Sequence, residues 1–159
     1  MSDNMRWRYG DTSPVVMAVG ADTIIEIGDL VYLDNGQVKP ASAAEDLESE
    51  SANQAFLHDG FVGVAMQRSR AGDTKPLRVA TSGVFEFACA ALTFEVGDLI
   101  GGKEAAGGTQ LEDQVVAKVD ATNLAIGRCV RQAPTATTRV LVDIVSTIVK
   151  GGPMPPPAE

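Results

Sequence analysis

The chain has 159 residues, 45% of them hydrophobic but only 5% aromatic, and a formal net charge of −8. This length suits one domain able to bury its own core. The acidic balance argues against nucleic acid, whose phosphates are matched by Lys and Arg, and against an anionic membrane surface. No run approaches the ~18 apolar residues of a membrane span, and Met1–Arg8 lacks the apolar core of a signal peptide.

Residues 1–13 read as an extended N-terminal arm. Arg6-Trp7-Arg8-Tyr9 holds the single Trp and one of the two Tyr. It is either a flexible leader whose Trp folds back or an arm that docks on another protein, since Trp, Tyr and Arg dominate interface hot spots. Val15 to Leu33 is strand-like, with a Gly28-Asp29 turn inside it. Asn35-Gly36 predicts a type I′ hairpin turn, because both central positions take positive φ at low cost there. Val38 to Pro40 is the return strand.

Residues 41–58 are acidic, and Ser42 followed by Glu45 fits a capping box, predicting a short helix from there within an exposed excursion. His58, the lone histidine, is expected in a solvated loop. Phe61 to Met66 is a strand, Gln67 to Thr74 a polar loop, and Leu77 to Ala88 an alternating stretch. A period of two places Phe85 and Phe87 on one face and Glu86 on the other. Gly101 to Thr109 is expected as a glycine-rich excursion and Arg139 to Val149 as a final strand. Pro153 to Glu159 is a proline-rich tail that cannot join a ladder. Cys89 and Cys129 sit in apolar runs and are expected buried and reduced, in a reducing compartment. Short strands separated by turns, with at most one short helix, predict an all-β sandwich or barrel.

Little in the chain suggests catalysis. Gly97-Asp98-Leu99-Ile100-Gly101-Gly102-Lys103 has the spacing of a phosphate-binding loop, but Glu104 stands where Ser or Thr would hold magnesium. Ala105-Ala106-Gly107-Gly108 cannot propagate the helix that should face the anion. Asp29 and Asp98 occupy matching positions, yet Gly-Asp is turn chemistry, with the carboxylate bonding its own backbone. One histidine leaves nucleophile–base arrangements little to draw on. The stretch around Asp34 lacks the alternating oxygen ligands of a calcium loop. No enzyme activity, cofactor or metal is expected.

The most informative pattern is an internal echo. Ile25-Glu26-Ile27-Gly28-Asp29-Leu30 is answered by Phe94-Glu95-Val96-Gly97-Asp98-Leu99, and Phe61-Val62-Gly63-Val64-Ala65 by Ala125-Ile126-Gly127-Arg128-Cys129. The echo predicts pseudo-repeats over 22–88 and 91–149 within a β domain of residues 14–149, followed by the tail at 150–159. The order Gly28-Asp29-Leu30-Val31, Phe61-Val62-Gly63-Val64-Ala65 and Arg78-Val79-Ala80-Thr81-Ser82-Gly83-Val84-Phe85 resembles a family of small phage structural proteins encoded beside the major capsid gene. These include capsid decoration, or cement, proteins, sometimes labelled recombinases. The resemblance implies a virion protein, made in the host cytoplasm, that binds the outside of the assembled head. Its implied partner is the major capsid protein and its implied assembly a homotrimer. The arm residues Arg6, Trp7, Arg8 and Tyr9 are the candidates for the capsid interface. Alternative readings are a head-fibre or tail component, and a small β glycan-binding module.

Overall fold

The computed structural model describes residues 5–154; Met1–Asn4 of the arm and residues 155–159 of the tail lie outside the described residues. Among the described residues, eleven strands build two sheets. The first, five-stranded, contains β2 (Val15–Met17), β3 (Leu30–Asp34), β4 (Gln37–Pro40), β5 (Phe61–Ala65) and β6 (Leu77–Ala80), in the order β2-β6-β5-β3-β4. The second, six-stranded, contains β1 (Met5–Tyr9), β7 (Ser82–Phe94), β8 (Leu99–Glu104), β9 (Leu111–Lys118), β10 (Gly127–Cys129) and β11 (Ala133–Val145), in the order β1-β7-β11-β10-β8-β9.

Setting β1 aside, the two orders are the same. Each sheet also curls toward closure by a parallel contact between its first and last strands. In the second sheet, Ala88 and Cys89 of β7 pair with Val115 and Val116 of β9, closing a five-strand ring. In the first, a single parallel bridge joins Ala18, just after β2, to Gln37 of β4. The protein is all-β, as the strand and turn pattern predicts.

Two apolar clusters follow from this layout. Val19, Ile25, Val31, Val38, Val62, Ala65, Leu77 and Val79 fill the first ring. The larger cluster joins Leu30, Tyr32, Phe61 and Val64 from the first sheet to Phe85, Phe87, Ile100, Val116, Val142 and Ile144 from the second. Strands β3 and β5 therefore bury both faces, which accounts for their nearly continuous apolar runs. The hairpin at 34–37 forms as the Asn-Gly pair predicts, with φ of 50° at Asn35 and 78° at Gly36.

Four local readings need correction. No helix starts at Ser42: Ala41–Ala43 is a single 3-10 turn, and α1 spans Glu50–Gly60, capped by Ser49, whose side chain accepts from the Ala52 N–H. The segment is also not an exposed excursion, because Asn53, Gln54 and Leu57 are buried. Asn53 bonds Leu47, Asp46 and Thr109, and Gln54 Nε2 donates to the Gly102 carbonyl at 2.8 Å. Polar side chains dock this helix, so it carries no apolar stripe to read. Gly101 and Gly102 belong to β8 and are buried. A Cβ at Gly101 would stand 2.4 Å from the Leu124 carbonyl oxygen. The last apolar run ends in β11, and Thr147–Lys150 turns into the single-turn helix α2, capped by Ser146. Neither helix is long and apolar enough to cross a membrane.

Candidate functional site

Strand β1 lies at the edge of the six-stranded sheet, antiparallel to β7, with Met5 opposite Phe87, Arg6 opposite Glu86 and Trp7 opposite Phe85. A bulge at Arg8 shifts the register before Tyr9 meets Val84. Met5 packs on the main core; the four residues after it are all exposed, Trp7 by 54% and Tyr9 by 55%. The chain beyond β1 is tied down. Gly10 turns at φ 93°, the Asp11 carbonyl accepts from Ser82 Oγ, the Thr12 carbonyl from the Thr81 and Ser82 N–H groups, and the Ser13 carbonyl from Thr81 Oγ1. The four candidate residues thus stand together on a fixed strand, its side chains open and its outer edge bonded to no strand among the described residues.

The two Gly-Asp turns are the same object built twice. In each, the Asp carboxylate accepts from the N–H of the Glu three residues earlier, at 2.9 Å: Glu26 to Asp29 and Glu95 to Asp98. Gly28 N–H bonds the Ala65 carbonyl and Gly97 N–H the Cys129 carbonyl; in return Ala65 and Cys129 donate to the carbonyls of Asp29 and Asp98. Each carboxylate is engaged by its own turn. Both turns are held by β9. Gln114 Nε2 donates to Asp29 Oδ1 at 2.9 Å and to the Ile27 carbonyl at 3.0 Å, and Lys118 Nζ lies 3.3 Å from Asp98 Oδ2.

The remaining polar candidates are likewise engaged within the fold. The segment 97–103 runs into a strand instead of a helix, and Lys103 pairs with Glu50 at 3.5 Å. His58 is half-buried in the last turn of α1 rather than in a solvated loop, its Nδ1 donating to the Ala125 carbonyl at 2.7 Å. Cys89 and Cys129 are buried free thiols whose pKa values burial raises. Among the described residues no group of three or more His, Cys, Asp or Glu is placed to hold a metal ion. Sequence reasoning missed Gln114, the Ser42–Asp113 pair, with bonds of 2.8 and 3.0 Å, and Ser49. Only Ser49 had a local signal, a Ser ahead of a helix-forming run; the others act across 71 to 87 positions of chain.

Fold and surface define a small all-β protein: two strand rings of one order, with a fixed basic-aromatic edge strand. The chain belongs to the phage cement protein family, whose model matches residues 47–144, more than half its length. No curated protein matches it. Among solved structures it is similar to the head fiber gp8.5 N base of bacteriophage phi29, at 16% identity and a TM-score of 0.42, over 82% of this chain and 93% of that one.

Proposed function

We propose that this protein is a capsid decoration protein that binds the outer surface of the assembled phage head through β1 and stabilises the shell without catalysis. One observation carries the reading beyond the family: Arg6, Trp7, Arg8 and Tyr9 are exposed on an edge strand whose outer side is bonded to no strand among the described residues. An edge of this kind invites another chain. The rings close their own strands internally, while β1 presents aromatic area at little further ordering cost, since its backbone is already fixed. Binding the assembled shell and not its dissociated subunits shifts the shell's stability by mass action. The implied assembly is a homotrimer, which sedimentation equilibrium checks.

Mixing the purified protein with bare expanded heads tests the function. Co-sedimentation with a gain in the heads' heat resistance supports it; no binding, or binding without that gain, overturns it. Substituting Trp7 and Tyr9 by Ser is the cleaner probe of the interface. Deleting the strand would also uncover β7 and remove the packing of Met5 against the core.

A further inference from the structure

The duplicated turns differ in one respect that their common geometry makes conspicuous. Gln114 and Lys118 lie four residues apart on β9, so they share a face of that strand about 13 Å apart. Lys118 gives Asp98 a cation. Gln114 gives Asp29 only an amide. Asp98 is partly exposed, whereas Asp29 is 4% exposed. The first turn therefore buries a carboxyl with no cation paired to it among the described residues, at the place where three separate pieces of chain meet. These are the turn at 26–29, strand β9 through Gln114, and the start of β1. The Met5 side chain presses on Gly28, within 2.9 Å of where a Cβ would stand, and Gln114 lies at 3.3 Å from the same point.

We propose that Asp29 is a proton-operated clasp at the joint of the two sheets, holding β9 and the start of β1 on the 26–29 turn most firmly in acidic solution and loosening them toward neutral pH. The neighbouring carboxylates Asp113 and Glu26 favour the neutral form. Glu26 of the same turn is held by Arg68, with Nε 2.6 Å from its carboxylate. Glu112 and Asp113 of β9 line the same cavity of about 390 Å³, Asp113 accepting from Ser42. The 3-10 turn contributes Ser42 and β1 contributes Met5, neither of them charged. Burial is the main cause that pushes the Asp29 carboxyl up to about 6; the bonds from Gln114 and Glu26 oppose it, and the charges of Asp113 and Glu26 add to it. An acid that holds its proton more tightly when enclosed than when opened strengthens the enclosed form at low pH. That advantage is complete below the ordinary value of 3.8 and is lost as pH rises through about 6. Two units correspond to up to about 100-fold in the equilibrium for opening the joint.

The test is amide hydrogen exchange on the full chain from pH 4 to 7.5, corrected for intrinsic rates. Protection at Glu26 and along Met5–Trp7 should fall at least about 10-fold over this range, while Glu95 of the matching turn holds its protection. Gln114→Lys gives the first turn the cation that Lys118 gives the second, and should flatten the pH dependence. A flat wild-type profile, or an unchanged slope in Gln114→Lys, overturns the clasp. Should that variant not fold, the carboxyl carbon of Asp29 titrated by NMR in the wild type decides: a midpoint near 6 supports the clasp, and one near 3.8 overturns it.

Discussion

Gly63 and Gly127 occupy matching places in the two rings and are glycine for the same physical reason. A Cβ at Gly63 would stand 1.7 Å from the Ala80 carbonyl oxygen, and one at Gly127 would stand 2.3 Å from that of Asp143. In both rings the strand passes too close to its neighbour to admit a methyl group. Gly97 is different, since nothing lies within 4 Å of its Cβ position and only its φ of 96° asks for glycine. Gly63→Ala should therefore cost several kcal/mol, about 3 or more, because the backbone itself must move. Gly97→Ala should cost about 1–2 kcal/mol, the penalty of a left-handed conformation alone. Chemical denaturation of the two variants side by side checks the ranking. At the same scale, the raised pKa of Asp29 fixes a sign for pH. Its folded value of about 6 lies above the unfolded 3.8, so its contribution to stability is greatest below pH 4 and falls as pH rises to 6 and beyond. The loss approaches about 3 kcal/mol at 1.36 kcal/mol per unit. Denaturation midpoints of the wild type against Gln114→Lys between pH 4 and 7.5 isolate that share from the other carboxyls.

At the scale of elements, α1 shows how a helix is specified by its ends and its polar contacts. Ser49 caps it, the Glu50 carboxylate accepts from the Glu104 N–H at 3.1 Å, and Gln54 reaches the Gly102 carbonyl in β8. Leu57 is its one fully buried apolar residue. Ser49→Ala should lower stability by about 1 kcal/mol through the lost cap. Ser42→Ala should leave the helix intact, since Ser42 bonds Asp113 of β9 instead. Circular dichroism followed through thermal unfolding separates the two. The local signature Ser-x-x-Glu at 42–45 was legible and misleading, because Asp113, far along the chain, supplied a better partner for Ser42 than a helix terminus could. Strands were easier to read. The Asn-Gly hairpin, the apolar run at 61–65 and the alternation around Phe85 each depend on backbone preference and neighbouring residues. Their partners in the sheet do not have to be known.

At the scale of the whole molecule, the edge strand separates folding from the proposed binding. Met5 is partly buried against the core, while Trp7 and Tyr9 contribute exposed area to the folded chain. Replacing both by Ser should leave the melting temperature within a few degrees of the wild type and weaken attachment to heads by at least about 10-fold, the scale of one lost aromatic hot spot. Retained affinity in that double variant would move the interface elsewhere on the surface. The sequence by itself determined the all-β class, the turns, and the recurrence of Glu-x-Gly-Asp. These follow from φ preferences and a two-residue period, which act over a few positions. It also marked Arg6, Trp7, Arg8 and Tyr9 as a distinct cluster. Only the tertiary structure decided that the strands form two rings of one order, that β9 holds both Gly-Asp turns, and that His58 and Gln54 bond the carbonyls of Ala125 and Gly102. It alone placed Met5–Tyr9 of the arm on β7 as an edge strand. Each of these depends on groups tens of positions apart being brought within about 3 Å, and no local preference encodes that distance.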